Sequence, residues 1–268
     1  MNLSGIKMVA TDMDGTLLNS KHEVSKRFFV LFEELKKRNI LFVAASGRQY
    51  NSIIEKLDPI KNDIIVVAEN GSYAMHQEKE LLSTPLPNNT VKRLLEIISS
   101  LENVHPVLCT KKGAYIKNDN PEFISLFKEY YSTFTLLENI TDFSGEVLKI
   151  ALYHFENSEE HIYPYVKHLD QDLKVKVSGL NWLDLSAPNA HKGYAIQKLQ
   201  ELYNIKPSET LVFGDYNNDL EMLEMAEYSF AMANAHPNVL KTANYTTKSN
   251  EEQGVEHILT QLIEDSKL

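Results

Sequence analysis

Asp12 and Asp14 stand one residue apart in the run Asp12-Met13-Asp14-Gly15-Thr16, directly after a short, mostly apolar segment, Ile6–Ala10. Such a segment bounded by a turn reads as a buried strand. A carboxylate at the end of a buried strand is costly unless it is paired or holds a metal. Gly15 permits a sharp turn, and the Thr16 hydroxyl can hold a carboxylate. Alone, two aspartates at this spacing describe an ordinary solvated turn. Three further segments change the balance. Ser46 follows the apolar run Ile40–Ala45, and Gly214-Asp215-Tyr216-Asn217-Asn218-Asp219 follows Leu211–Phe213. Lys192 opens a helical stretch, where a cation opposes the helix dipole unless an anion sits beside it. Each of these has a bland reading by itself: a turn, an Asx-rich cap, a surface lysine. Carboxylates, a hydroxyl and a lysine at one sheet edge are hard to obtain from packing alone. Hard oxygen donors without paired Cys or His favour Mg²⁺ over zinc.

The elements that must position these residues follow from periodicity. Ser25–Arg38 carries Phe28, Phe29, Leu31, Phe32 and Leu35 at helical spacing, with Ser25 as N-cap. Ile40–Ala45 and Ile64–Ala68 read as strands, and a helix is expected near Gln49–Leu57 between them. This strand–helix alternation predicts parallel pairing with right-handed crossovers. It brings the strand C-termini, and the loops after them, to one edge, where ligands of open α/β sheets bind.

The pattern changes after Leu82. Helices are expected at Val91–Leu101, Pro121–Tyr131 and near Glu159–Leu169. Strands are expected at Val104–Leu108, Tyr115–Lys117, Val147–Phe155, Leu173–Val177 and Trp182–Leu185. From Ala187 the first style returns, with helices at Lys192–Tyr203, Asp219–Ala226 and Glu251–Glu264 and strands at Leu211–Phe213 and Phe230–Ala233. The expected organisation is a discontinuous core, residues 1–83 and 186–268, with an inserted α/β module at 84–185.

Composition narrows the function classes. The 268 residues carry a formal net charge of −10, which disfavours nucleic acid and anionic lipid surfaces as partners. The single cysteine, Cys109, permits no internal disulfide. With no signal-peptide apolar region and no run long enough to span a bilayer, the expected location is the cytoplasm. There is no G-x-G-x-x-G, no P-loop, no H-E-x-x-H and no arginine six residues after Cys109 to make a cysteine-phosphatase loop. The lone Trp182 and the Tyr130-Tyr131 pair are expected to pack or to line the inserted module.

These residues resemble the haloacid dehalogenase-like hydrolase superfamily. Asp12–Leu18 is similar to its first motif, Ser46-Gly47-Arg48 to its second, Lys192-Gly193 to its third and Gly214–Asp219 to its fourth. Glu69-Asn70-Gly71, Ala231–Pro237 and an insertion of about a hundred residues between the second and third motifs resemble the Cof-type phosphatase subfamily. The resemblance implies a three-layer Rossmann-like parallel-sheet core with an inserted α/β cap that closes over the site and reads the leaving group. It implies a Mg²⁺-dependent phosphatase of small phosphorylated metabolites, with Asp12 as nucleophile and Asp14 as general acid and base. It further implies that Asp12, Asp215 and the backbone carbonyl of Asp14 hold the metal, with Asp219 orienting its shell. Met13, Ser46, Gly47, Lys192 and Asn218 would hold the phosphoryl oxygens.

Three other readings stay open at this stage. A phosphotransferase or mutase would use the same motifs but release no inorganic phosphate. A signalling receiver also has an acceptor aspartate, a hydroxyl and a lysine, but needs neither a second acid two residues on nor a large insert. A metabolite-binding regulator would retain the fold without turnover. The sequence does not fix the oligomeric state.

Overall fold

The computed structural model describes residues 2–130 and 133–265. In chain order, the first segment contains β1 (Met8–Thr11), α1 (Lys26–Lys37), β2 (Leu41–Ala45), α2 (Tyr50–Lys56), β3 (Ile65–Ala68), β4 (Tyr73–His76) and β5 (Lys79–Ser83). The middle contains α3 (Asn88–Ser99), β6 (His105–Thr110), β7 (Gly113–Lys117), α4 (Pro121–Tyr130), β8 (Phe134–Leu137), β9 (Lys149–Tyr153), α5 (Ser158–His161), α6 (Tyr163–Val166), β10 (Lys174–Val177) and β11 (Trp182–Ser186). The last segment contains α7 (Lys192–Tyr203), β12 (Thr210–Gly214), α8 (Leu220–Leu223), β13 (Tyr228–Ala231), α9 (Pro237–Thr242), β14 (Tyr245–Thr246) and α10 (Gly254–Asp265). The chain divides into two compact units, residues 1–82 with 191–268, and residues 83–190.

The first unit is built on an eight-stranded sheet ordered β14-β13-β12-β1-β2-β3-β4-β5. Its strands from β14 to β3 pair in parallel, and β4 runs antiparallel to β3. β1, β3 and β12 are buried along their whole length, as sheets covered on both faces require. The chain progresses one way from β1 to β3 and the other way from β12 to β14. Right-handed crossovers therefore set α1 and α2 on one face and α8 and α9 on the other. Consistent with this, α1 packs on α10 and α7 packs on α8. The direction reverses between β1 and β12, and such a switch point opens a crevice at the strand C-termini. The parallel pairing is what the strand–helix alternation predicts, and the α/β core has the three-layer, Rossmann-like form that the resemblance implies.

The second unit has a six-stranded sheet ordered β10-β11-β9-β6-β7-β8, antiparallel except for β7 and β8. Its alternation sends Ile150, Leu152, Leu183 and Leu185 to one face, against Leu94, Ile98, Ile162 and Val166. Val107, Ala151 and Tyr153 face the other way, against Phe123 and Phe127 of α4.

Several expected elements differ. The helix expected near Glu159–Leu169 is broken into α5, α6 and a 3₁₀ turn, Lys167–Gln171. Pro164 has no amide to donate and its ring would clash one turn back, so the chain kinks at Ile162 (φ −117°, ψ −53°). The helix expected at Asp219–Ala226 holds α-geometry only over α8, because Asn217–Asp219 forms a 3₁₀ turn. The strand expected at Phe230–Ala233 starts two residues earlier, as β13, in register with β12. The last helix begins at Gly254 rather than Glu251, after a turn in which Gly254 N donates to Ser249 O. The Tyr130-Tyr131 side chains lie outside the described residues. No helix among the described residues is long and apolar enough to cross a membrane.

Candidate active site

β1, β2 and β12 end side by side. Thr11 is paired with Ala44 of β2 and Phe213 of β12, and the Asp12 amide donates to Phe213 O. Asp12, Ser46 and Asp215 therefore emerge from adjacent parallel strands at the switch point. Asp12 is 5% exposed, and Lys192 and Asp219 are fully buried. Lys192 is the first residue of α7, whose N-cap is His191, with Nδ1 accepting from Tyr194 N. Its ammonium donates to Asp12 Oδ1 at 2.5 Å and to Asp219 Oδ1 at 2.6 Å. Two buried carboxylates thus offset the unfavourable helix-dipole position.

The turn after β12 is organised by Asp219. Its Oδ2 accepts from the amides of Asp215 and Tyr216, at 3.0 and 3.1 Å. Asp215 in turn accepts from Thr16 Oγ1 at 3.0 Å, and one of its oxygens lies within 4.8 Å of one of Asp12's. Gly15 (φ +77°) is required here, because a Cβ would sit 2.3 Å from Asp215 Oδ2.

One oxygen from each of Asp12, Asp215 and Asp219 can be chosen so that all lie within 4.8 Å of one another. Lys192 offsets one of these three charges. Burial, then repulsion from Asp219, raises the Asp215 carboxyl to about 6, against the pull of Thr16 and Lys192. Burial also pushes Asp12 up, and Asp219 and Asp215 add to this while Lys192 opposes it. Lys192 is desolvated too, yet the charges of Asp12 and Asp219 hold its ammonium above its ordinary value. The cation is firmly held and the acids around it carry surplus negative charge, which is the environment a divalent cation fits. The donors are hard oxygens, the kind Mg²⁺ takes. Asp219 has both oxygens engaged, by Lys192 and by two amides, whereas the Lys192 and Thr16 bonds engage one oxygen each of Asp12 and Asp215, so these two are the side chains that could ligate.

Asp14 is turned to a different set of partners. Its Oδ2 accepts from Arg48 Nε and its Oδ1 from Arg48 Nη2, both at 2.6 Å, and His22 Nδ1 lies 3.2 Å from Oδ1. Partial burial acts to raise the Asp14 carboxyl, but the Arg48 hydrogen bonds and charge, with His22, bring it below the ordinary value. Residue types gave no indication of this pairing, although Arg48 stands inside the Ser46-Gly47-Arg48 motif. His22 carried no signal at all.

The remaining candidates are also located. Met13 is buried, and its carbonyl accepts from Leu18 N at 2.8 Å. Ser46 is buried after β2, and its Oγ accepts from Arg48 N at 3.1 Å. A Cβ on Gly47 would lie 3.0 Å from Asn70 Oδ1, the oxygen to which Asn218 Nδ2 donates at 3.0 Å. Asn70, missed from composition and spacing, thus links Gly47 to Asn218. It belongs to three consecutive residues with positive φ, Glu69, Asn70 and Gly71. Such strain persists where surrounding structure enforces it.

The haloacid dehalogenase-like hydrolase family model matches residues 9–259. The chain is 32% identical over 265 residues to the 5-amino-6-(5-phospho-D-ribitylamino)uracil phosphatase YbjI of Escherichia coli (strain K12), covering 96% of both chains. It is 28% identical to the putative phosphatase YxeH of Bacillus subtilis (strain 168), covering 96% of this chain and 98% of that one. A crystal structure of a Streptococcus mutans UA159 protein superposes with a TM-score of 0.88 at 29% identity, over 97% of this chain and 99% of that one. With the strand-end acids, the buried lysine and these matches in agreement, the chain belongs to the haloacid dehalogenase-like hydrolases.

Proposed function

We propose that this chain is a Mg²⁺-dependent phosphatase that hydrolyses phosphate monoesters of small metabolites through an aspartyl-phosphate on Asp12. The observation that carries this reading is the buried Asp12–Lys192–Asp219 ion pair beside Asp215 at the sheet's switch point. Buried ion pairs are weak devices for stability and costly to desolvate. A lysine flanked by surplus carboxylates at a ligand-binding edge suits an anionic substrate brought in with a divalent cation.

In the first step an Asp12 carboxylate oxygen attacks phosphorus, the bond from phosphorus to the ester oxygen breaks, and Asp14, which must be protonated and released from Arg48 for this step, gives its proton to the departing oxygen. In the second step water attacks the phosphorus. Its proton passes to Asp14, and the bond to Asp12 breaks to restore the carboxylate and release inorganic phosphate. Asp12, Asp215 and the Asp14 backbone carbonyl would hold Mg²⁺. When bound, the ion would neutralise charge between the anionic nucleophile and the anionic ester. Lys192, Ser46, Asn218 and the Met13 and Gly47 amides would hold the phosphoryl oxygens, placing donors where charge develops. Asp219 holds Lys192 and shapes the turn that presents Asp215, and Thr16 steadies Asp215.

The second unit is proposed as a cap domain that selects the leaving group. The acidic net charge supports small metabolites, rather than nucleic acid or lipid surfaces, as partners. A single cysteine, the buried Cys109, allows no internal disulfide and supports a reducing, cytoplasmic setting. Phosphate release from a panel of phosphorylated metabolites, including 5-amino-6-(5-phospho-D-ribitylamino)uracil and hexose phosphates, tests the reading. Activity is expected with Mg²⁺ and not with chelator. Asp12→Asn should abolish turnover while circular dichroism stays native. Near-normal turnover in that variant removes the nucleophile assignment.

A further inference from the structure

The second unit holds a cavity of its own, about 240 Å³ in volume. It opens between the end of α3, the first residues of β6, the last of β7 and the turn Ile140–Asp142. The sheet register places it. Ser186, Lys149 and Cys109 pair across β11, β9 and β6 at one end, where the Leu86–Val147 bridge lies and the chain enters and leaves the unit. Trp182, Tyr153 and His105 pair across the same strands at the opposite end, where the cavity lies. It shares no residue with the site around Asp12.

Four buried side chains, Leu95, Ile98, Phe123 and Ile140, supply apolar walls. His105 is the polar group set among them. Its ring stacks on Phe123, with centroids 4.7 Å apart and planes 16° apart, and meets Phe155 edge-on at 5.4 Å. The Asn120 carboxamide sets its tautomer. Asn120 Oδ1 accepts from Phe123 N at 3.0 Å, which turns Nδ2 to His105 Nε2 at 3.4 Å. An amide nitrogen only donates, so Nε2 accepts and the proton of the neutral ring sits on Nδ1. Burial, helped by His154, holds the imidazole below its ordinary value against the pull of Asp119 and Glu122, so the ring is neutral at pH 7. Nδ1–H has no acceptor among the described residues. At the rim, Lys117 and Asp119 pair at 2.6 Å and cancel each other's charge.

We propose that this cavity binds a small, neutral aromatic molecule carrying a carbonyl, with the ring among Leu95, Ile98 and Phe123 and the oxygen accepting from His105 Nδ1. The size suits one or two rings, since an apolar cavity of about 150 Å³ already takes benzene. Apolar walls with one fixed donor are the composition of a small-molecule site, and a carbonyl would satisfy a donor that is otherwise left partly desolvated and unpaired. The cancelled charges at the rim select against an ionic ligand. None of this depends on the phosphatase reading.

The probes are 4-fluorobenzamide and fluorobenzene, each titrated against the full chain by fluorine NMR. A matched ligand of about ten non-hydrogen atoms reaches a dissociation constant of about 1 mM or tighter, which is the value expected for 4-fluorobenzamide. His105→Phe keeps a ring on Phe123 and removes the donor. It should weaken 4-fluorobenzamide about fivefold and leave fluorobenzene within about twofold. Thr141→Trp, at an exposed rim position, should close the mouth and abolish saturable binding of both probes. Circular dichroism checks the fold of each variant, and Thr141→Trp decides the location even where His105→Phe does not fold. No saturable binding of 4-fluorobenzamide in the millimolar range, an equal change for both probes in folded His105→Phe, or binding retained in folded Thr141→Trp overturns the proposal.

Discussion

Lys192 bears more of the site than its type suggests. It is fully buried and touches two carboxylates that are themselves buried. Removing it strands both acids in a low-dielectric setting, and breaking a buried pair in this way typically costs about 3–5 kcal/mol. Lys192→Met, which keeps most of the side-chain volume, should therefore lower the denaturant midpoint of the metal-free protein substantially. A loss below about 1 kcal/mol would mean that Asp12 and Asp219 are satisfied by other groups. At this scale the sequence was legible in residue type and strand-end position: Asp12, Lys192, Asp215 and Asp219 lie together, and Ser46 stands at the end of the neighbouring strand β2. Side-chain direction was not legible. Nothing in the spacing of residues 14 and 48 says that their side chains interlock, because that depends on where β1 and β2 end relative to each other in space.

Elements were read best where periodicity and caps agreed. α1 lies between its expected ends, with Ser25 capping Phe28 N, and α7 spans the residues expected. They were read worst where a side chain overrides the local pattern: Pro164 interrupts an apolar helical spacing, and the Asp219 carboxylate tightens the turn before α8. The short strands β4, β8 and β14 carry too few residues to show alternation. The turn after β3 shows how one element positions another. A Cβ on Gly71 (φ +100°) would lie 2.3 Å from the carbonyl carbon and oxygen of His191 and 2.8 Å from Lys192 N. These are backbone atoms at the start of α7 and cannot rotate away. Gly71→Ala should therefore shift the helix start that carries Lys192, costing about 1–3 kcal/mol in stability and at least tenfold in phosphatase activity. Stability is read by denaturant unfolding and activity by phosphate release. Native values for both would show that the 69–71 turn can move without disturbing Lys192.

For the molecule as a whole, the switch point joins stability to metal binding. Three acids converge on one buried ammonium, leaving surplus negative charge that the folded chain holds and the unfolded chain disperses. Asp215 shows the sign. Burial and Asp219 raise its folded-state carboxyl from 3.8 to about 6, so its contribution favours the folded state below pH 3.8 and is lost as the pH rises through 6. Above that pH the metal-free core carries an ionised Asp215 it is poorly built to hold, and a divalent cation held by Asp12 and Asp215 would relieve the penalty. A ligand that binds only the folded state stabilises it by about 2.7 kcal/mol at a hundred times its dissociation constant. Saturating Mg²⁺ should thus raise the melting temperature at pH 7.5, and the increment should shrink as the pH falls through 6, where protons compete for Asp215. Asp215→Asn should lose most of the increment, and in chelator it should outlast the parent chain at pH 7.5 more than at pH 4.5. Calorimetric scans at these two pH values, with and without Mg²⁺, measure each difference. An increment independent of pH and retained in Asp215→Asn would place the ion away from the β1–β12 crevice.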